Sequence, residues 1–316
     1  MSAALVHCRN AVKPFLQSIE PGDSFIVAVS GGADSLALAY ALLLESKDLA
    51  LTPIAVTIDH QLQSGSAEQA GRVVSQLTHM GYTRSYSEKV VVSLESGLEA
   101  GARDARFAAL AKIADENNSS YVFLGHTFND QAESVLLGLA RGSGARSLSA
   151  IAPVNGIYIR PFLDVTRQET EQVCNDAEIA FWNDPHNSNR DLLRARVRNE
   201  VIPYLEEHVD PGISKALVRT AALLRDDADA LDLWSAQFLT TQDLANLDCE
   251  ALAELPRAVR SRAIRAAAIA AGAIAPTHDQ ISAIEQMVTA WKGQGELSLS
   301  GGVKVARISG RLSLSR

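Results

Sequence analysis

Four short runs of apolar, β-branched residues punctuate the first part of the chain: "FIVAVS" at 25–30, "LTPIAVTID" at 51–59, "EKVVVS" at 88–93 and "YVFLGH" at 121–126. The stretches between them carry apolar residues at helical spacing. Near-continuous apolar strands separated by amphipathic helices predict βαβ units, an α/β fold with a parallel sheet covered on both faces. In such sheets a ligand sits beyond the carboxyl ends of the strands. Polar, glycine-bearing clusters stand at three of those ends: "SGGADS" after the first, "DHQLQSGS" after the second and "GHTFNDQAE" after the fourth. Three sequence-distant clusters can therefore converge on one crevice.

The rhythm stops near "EEHVDPGISK", where Asp210, Pro211 and Gly212 form a breaker cluster. A boundary there gives a catalytic domain over 1–210 and a mostly helical domain over 211–316. Helical spacing runs from 213 to 271 and again from 277 to 291, and puts Trp234, Phe238 and Trp291 in a core. The chain ends in "ELSLSGGVKVARISGRLSLSR", whose alternation and paired glycines predict a small hairpin or three-stranded sheet.

With 316 residues the chain is long enough for two domains, and 47% hydrophobic with 21% charged residues is ordinary globular composition. No run of about 18 apolar residues would cross a bilayer, and "MSAALVHCRNAVKPFL" lacks the pattern of a signal peptide; the expectation is a soluble, cytoplasmic protein with no membrane partner. Cys8, Cys174 and Cys249 stand far apart and outside any C-x-x-C, which argues against a disulfide framework, a zinc ribbon or an iron–sulfur ligand set. Buried free thiols are expected. The net charge of −8 disfavours a nucleic-acid partner, but its distribution reopens the question. Residues 226–254 hold eight acids and no base, whereas 255–316 hold nine bases and three acids. An acidic chain can thus carry a local basic surface, with the acidic segment facing away from it.

A Gly-rich turn opening a helix is an anion site, because the first backbone N–H groups lack partners and the dipole favours negative charge. Ser30–Ser35 has neither the lysine of a mononucleotide P-loop nor the spacing of a dinucleotide fingerprint. What remains is a compact nest in which Gly31 and Gly32 admit close approach and Ser30 and Ser35 add hydroxyls. Asp34 is the odd member. A carboxylate beside a phosphate is repulsive unless a cation intervenes, so Asp34 implies Mg²⁺ or a cationic substrate.

The stretch "SGGADS" resembles the S-G-G-x-D-S loop of the N-type ATP pyrophosphatases, the PP-loop family, whose fold is of the adenine nucleotide alpha hydrolase-like type. Later segments are similar to the tRNA(Ile)-lysidine synthetase family: "DHQLQSGS" from Asp59, "GARDARF" at 101–107, "GHTFNDQAESVLLGLARGSG" at 125–144 and "NDPHNSNRDLLRARVRNEVIPYL" at 183–205. Gln63, Asn129, Ser134 and Ala195 depart from its pattern.

The resemblance implies a two-step reaction with ATP and Mg²⁺. The wobble cytidine of a CAU-anticodon isoleucine tRNA is adenylated at its C2 oxygen with release of pyrophosphate, and the ε-amine of L-lysine then displaces AMP. By the same resemblance Ser30, Gly31, Gly32, Ala33, Asp34, Ser35, Asp59, His60 and Arg106 serve the nucleotide, with Asp34 at the metal. Asp34, His126, Asp130 and Glu133 serve the chemistry. Arg103, Glu133, Arg141, Arg190, Arg194, Arg196 and Arg198 serve the lysine or the tRNA. A related tRNA thiolase would need catalytic cysteines, commonly as C-x-x-C, and a plain RNA-binding module would bind tRNA without ATP turnover.

Helical geometry adds its own expectations. At about 100° per residue, His126, Asp130 and Glu133 share one face, while Ala132, Val135, Leu136 and Leu139 share the opposite, buried one; Leu137 falls among the acids. Arg190, Arg194 and Arg198 come into register on a helix, as in a stripe tracking a nucleic-acid backbone or a salt-bridged surface helix. The basic residues of the tail, Arg257 to Arg316, would extend that surface along the tRNA.

Overall fold

The computed structural model describes residues 2–316 apart from 63–64, 94–96, 143 and 185–189, so Gln63 and part of the "NDPHNSNR" segment lie outside the described residues. β1 (Ser24–Ala28) occupies the middle of the larger sheet because both its faces are apolar: Phe25, Ile26 and Val27 are fully buried. It pairs in parallel with β2 (Thr52–Asp59) on one side and with β4 (Val122–Leu124) on the other. Beyond β2 comes parallel β3 (Arg84–Lys89). Beyond β4 come parallel β6 (Tyr158–Ile159) and antiparallel β5 (Val154–Asn155), giving the order β3-β2-β1-β4-β6-β5.

Alternation along β1 divides the core in two. Phe25 and Val27 pack with α1 (Ala3–Leu16), α2 (Ala33–Ser46), α3 (Ser66–Met80) and α7 (Arg167–Asp176). Ile26 packs on the other side with Leu110 and Ile113 of α4 (Leu98–Glu116). The third strand corrects the sequence expectation. It is the polar "RSYSEK", and the valines expected in it lie beyond it, Val90 buried and Val91 exposed. Among the described residues this strand has a neighbour on one side only, and polar residues suit such an edge better than a flat apolar run.

The strand order runs 3-2-1 in one direction and then jumps to β4, so chain direction across the sheet reverses between β1 and β4. That is the topological switch point where open α/β sheets bind ligands. The turn after β1 leads into α2, and the turn after β4 leads into α5 (Phe128–Ala140). The two turns touch: a Cβ on Gly125 would lie 3.0 Å from Ser35 Cα and 3.1 Å from Asp34 O. The remaining elements of this unit are α6 (Ala145–Leu148), α8 (Leu193–Arg196), a π-helical turn at Val197–Val201 and α9 (Ile202–His208).

The chain divides into two compact units between residues 222 and 223, inside the long α10 (Ile213–Leu239). The second unit continues with β7 (Asn246–Asp248), α11 (Cys249–Glu254), α12 (Arg257–Ala270), α13 (His278–Thr289), β8 (Leu297–Ser298), β9 (Lys304–Ile308) and β10 (Arg311–Ser315). Its sheet is antiparallel in the order β7-β10-β9-β8, with Leu247, Ile264, Ile284, Val305 and Leu312 in its core. The expected terminal β element is present and gains β7 as a fourth strand. Two expectations are corrected. Phe238 packs on the core, but Trp234 and Trp291 are exposed, at 47% and 40%; helical spacing does not decide which apolar stripe gets covered. The acidic segment does not face away from the basic tail either. Asp232 meets Arg262 at 2.6 Å and Asp248 meets Arg311 at 3.8 Å, because opposite charges on neighbouring elements pair at little cost.

Candidate active site

The turn Ser30–Gly32 leaves β1 and becomes the N-terminus of α2, whose N-cap Gly32 offers no side-chain cap to the first helical N–H groups. Those groups stay available to an anion. Gly31 is required twice over: its φ is +87°, and a Cβ there would sit 2.7 Å from Val73 Cγ2. The hydroxyls brace the turn. Ser35 Oγ accepts from Ser30 N–H at 3.1 Å, lies 3.1 Å from Ser30 Oγ and donates to Gly32 O at 3.0 Å. From the far side, Trp182 N–H donates to Gly31 O at 2.9 Å. A cavity of about 890 Å³ opens over this nest, lined among others by Ser30, Gly32–Ser35, His60, Arg106, His126, Asp130, Arg167, Trp182, Arg194 and Arg198.

Three carboxylates meet three guanidiniums at its floor. Glu133, fully buried, receives Arg198 at 2.6 and 3.0 Å and Arg194 at 3.1 Å. Asp130 accepts from Thr127 N–H at 2.8 Å and from Arg198 at 3.2 Å. Asp34 accepts from Thr170 Oγ1 at 2.5 Å and from Arg167 Nε at 3.3 Å. Arg167 also stands 3.6 Å from Asp130 and 3.9 Å from Glu133, and so links all three acids.

Burial raises the Asp34 carboxyl above its ordinary value even against Arg167 and Thr170. Burial pushes Asp130 the same way, but Arg167, the Thr127 N–H and other neighbours outweigh it and hold this carboxyl below the usual range. His126 is driven down to about 3, chiefly by burial, and is therefore neutral. His60 is lowered by burial and then by Arg106.

Surplus positive charge gathers at Arg103 and Arg106, which line the cavity, and at Arg160, which lines a hollow beside it. Arg103, Arg106 and Arg160 have no carboxylate partner among the described residues, and Nε of Arg106 and of Arg160 are buried without a hydrogen bond, as is His126 Nδ1. Arg103 and Arg106 lie over the Phe107 ring at 5.0 and 5.4 Å. Burial, then Arg103 and Arg194, lower Arg106; burial followed by Arg103 and Arg106 brings Arg160 down to about 10. Crowded like charges with unused donors suit phosphate. Two smaller hollows of about 400 and 720 Å³ adjoin, sharing Arg103, Leu137, Arg141 and Arg194.

Several sequence expectations need adjustment. α5 begins at Phe128, so His126 stands in the turn before it rather than on its acidic face. That face is inward: Asp130 and Glu133 are buried, Leu139 is 52% exposed, and Leu137 lines both smaller hollows. The register of Arg190 with Arg194 and Arg198 does not form, because the helix starts only at Leu193. Arg194 and Arg198 turn into the site, whereas Arg190 pairs with Glu200 at 2.7 Å on the surface and Arg196 is exposed. Asp59 lies under the cavity wall; its Oδ1 takes the Gln61 N–H at 2.9 Å, and its Oδ2 is buried without a partner.

Sequence reading missed Arg160, Arg167, Thr170 and Trp182. A signal existed for Arg167. Thr166 and Glu169 form a capping box, and a cation at the first position after the cap opposes the helix dipole. The departure at Asn129 also finds a place: its Oδ1 accepts the Arg167 N–H at 2.9 Å.

No cysteine lines the cavity. Cys8, Cys174 and Cys249 are free and buried, and burial pushes Cys8 and Cys174 up to about 12, far from thiolate chemistry. Among the described residues no group of three or more His, Cys, Asp or Glu could hold a metal alone, and no helix is long and apolar enough to cross a membrane.

Residues 5–205 match the PP-loop domain family and residues 247–313 the TilS substrate binding domain family. The tRNA(Ile)-lysidine synthase of Thermobifida fusca is 46% identical over 97% of this chain and 96% of its own length. That of Streptomyces coelicolor is 46% identical over 91% and 84%, and that of Nocardia farcinica 42% over 98% and 97%. Among solved structures, the U34-tRNA thiolase NcsA from Methanococcus maripaludis with its 4Fe–4S cluster superposes with a TM-score of 0.58 at 17% identity, covering 70% of this chain and 80% of that one. At that identity the likeness is one of fold.

Proposed function

The chain belongs to the tRNA(Ile)-lysidine synthase family, and from that premise we propose how its cavity joins L-lysine to the wobble cytidine of CAU-anticodon tRNA(Ile) while ATP is cleaved to AMP and pyrophosphate. The observation that carries the reading is the meeting, in one cavity, of an uncapped Gly-rich helix start, a carboxylate cluster and unpaired guanidiniums.

In the first step the C2 oxygen of cytidine attacks the α phosphate, and the uncapped backbone N–H groups at the start of α2 receive the departing pyrophosphate. Fixed donors of this kind act without reorganising as charge develops. Arg106, with Arg103 beside it, suits the nucleotide phosphates or the phosphodiester of the tRNA. The donor set also fits Mg²⁺, an oxygen-seeking cation for which one protein carboxylate in the cavity suffices when substrate phosphates are present. Asp34 would hold it, and when bound it would neutralise charge building on the phosphates.

In the second step the lysine ε-amine must attack as the neutral base, so a neighbouring group takes its proton. His126, with a value near 3, is too weak a base and serves as a neutral hydrogen-bonding group at the reacting centre. The carboxylates remain. Asp34 and Asp130 both line the cavity and can receive the amine's proton, and Asp130, whose carboxyl is held below the usual range, stays ionised to hold the incoming cation. Glu133 organises Arg194 and Arg198, and either guanidinium can turn toward the lysine carboxylate. The reaction takes place in the cytoplasm, where its tRNA is.

The test is incubation of purified protein with ATP, Mg²⁺, labelled L-lysine and CAU-anticodon tRNA, beside a GAU-anticodon control. Label should enter only the first RNA, with one pyrophosphate released per lysine incorporated. Label in both RNAs, or release of orthophosphate and ADP, would overturn the assignment. Asp34→Ala should abolish pyrophosphate release and leave tRNA binding measurable.

A further inference from the structure

The Asp34 side chain is oriented entirely from another element. One of its oxygens takes the Thr170 hydroxyl at 2.5 Å and the other takes Arg167 Nε at 3.3 Å, and both donors belong to the start of α7. Arg194 and Arg198, the other cations of the floor, hydrogen-bond to α5 side chains and not to Asp34. Thr170 is fully buried, so its hydroxyl has no solvent to turn to, and of its two acceptors Asp34 Oδ1 at 2.5 Å is nearer than the Arg167 carbonyl at 2.8 Å.

The start of α7 is itself held on three sides. Asn129 Oδ1 accepts the Arg167 N–H at 2.9 Å, and Phe128 N–H donates to Val165 O at 2.9 Å, which ties α7 to α5. Glu169 Oε2 reaches back to Thr166 N–H at 2.8 Å, and its Oε1 lies 2.8 Å from His7 Nδ1 on α1. Such bracing suits a part that must keep its place. Arg167, a cation at the positive end of a helix, would be misplaced there without the carboxylates it faces.

We propose that Arg167 and Thr170 are positioning residues, which fix the carboxylate of Asp34 at the mouth of the Ser30–Ser35 nest for the pyrophosphate-releasing step. The inference rests on the reaction proposed above. It also accounts for a carboxylate beside a phosphate site: the chain supplies a counter-charge of its own, and the second oxygen keeps a fixed direction whether or not substrate is present.

The experiment compares Thr170→Val, Thr170→Ser, Arg167→Gln and Arg167→Lys in the full chain, reading kcat for pyrophosphate release, KM for ATP, ATP binding by equilibrium dialysis, and thermal melting. Loss of one orienting hydrogen bond should lower kcat of Thr170→Val about tenfold while KM and the dialysis constant for ATP move less than about threefold. Thr170→Ser, which restores the hydroxyl, should recover at least about a third of the wild-type kcat. Arg167→Gln should lose about tenfold or more, and Arg167→Lys should fall between it and wild type. A Thr170→Val kcat within twofold of wild type, or a Thr170→Ser enzyme as impaired as Thr170→Val, would overturn the proposal. Should Thr170→Val not fold, the pair of variants at Arg167, whose side chain is one-quarter exposed, decides: equal kcat for Arg167→Gln and wild type overturns it. Absence of pyrophosphate from the wild-type enzyme itself would instead refute the reaction, and this inference with it.

Discussion

Removing the carboxylate of Glu133 should lower the stability of the first unit by an amount that can be measured apart from any effect on catalysis. The side chain is 1% exposed and holds two guanidiniums, Arg198 at 2.6 Å and Arg194 at 3.1 Å. Breaking a buried ion pair from one side costs about 3–5 kcal/mol, because the remaining charge stays in a poorly solvated place. Arg194 and Arg198 retain 31% and 22% side-chain exposure, so water repays part of that, and the lower end, about 3 kcal/mol, is expected for Glu133→Ala. For a unit of this size each kcal/mol moves the melting temperature by about 2–4 °C, which predicts a fall of roughly 6–12 °C. Glu133→Gln keeps the shape and one acceptor and should lose about half as much. Melting would be followed by circular dichroism at low salt and at about 0.5 M salt, since screening weakens exposed pairs far more than buried ones. A Glu133→Ala melting point within about 2 °C of wild type, or a deficit that disappears in high salt, would refute the view of Glu133 as the buried keystone of the arginine pair.

Other outcomes follow from the same geometry. Arg190→Ala, which removes an exposed pair with Glu200, should leave the melting point within about 1 °C and is the natural control for the loss expected with Glu133. Gly31→Ala must accept both a positive φ and a Cβ 2.7 Å from Val73, so it should lose pyrophosphate release; adding Val73→Ala relieves the clash but not the backbone strain, and only part of the rate should return. His126 has a folded value near 3 against an ordinary 6.5, so as pH falls through that window the unfolded chain takes up the proton first. Stability should therefore drop below pH 6.5 by up to about 1.4 kcal/mol per pH unit from this residue, and urea midpoints of His126→Gln should show a flatter slope; an unchanged slope would mean that His126 is not held neutral. Replacing all three cysteines by alanine should leave pyrophosphate release per folded molecule within about threefold, and a loss beyond tenfold would restore thiol chemistry as a contender.

The sheet was legible because its evidence is local. Phe25 to Val27 and Ile54 to Val56 announce buried parallel strands by their own composition, and glycine at position 31 announces a backbone that other residues resist. The edge strand was misplaced by a few residues for the converse reason: "RSYSEK" is a strand only because β2 is beside it, and nothing in its own residues outbids the valines that follow. The anion nest and the carboxylates were legible as residue types. Their partners were not, since Arg167 lies 133 residues from Asp34, and Arg198 lies 65 residues from Glu133. Periodicity on one helix puts arginines in a row but says nothing of a facing helix that supplies their counter-ions. It therefore suggested an outward stripe where two of the three guanidiniums turn inward.

The exception shows what a sequence can still disclose about such distant pairs. A residue that offends its local context points to a partner elsewhere, because natural chains tolerate local conflict where something else compensates. Arg167 follows a complete capping box and sits at the wrong end of a helix dipole; Asp34 sits beside a nest built for phosphate, where a carboxylate is repelled. Arg167 is unfavourable at its own helix start, Asp34 becomes unfavourable once a phosphate fills the nest, and each has the sign of charge that the other lacks. Their meeting at 3.3 Å removes both conflicts at once. Two opposite charges that sit awkwardly beside a bound phosphate and a helix dipole, one at the start of α2 and one at the start of α7, are therefore a more specific sign of a shared site than either motif by itself.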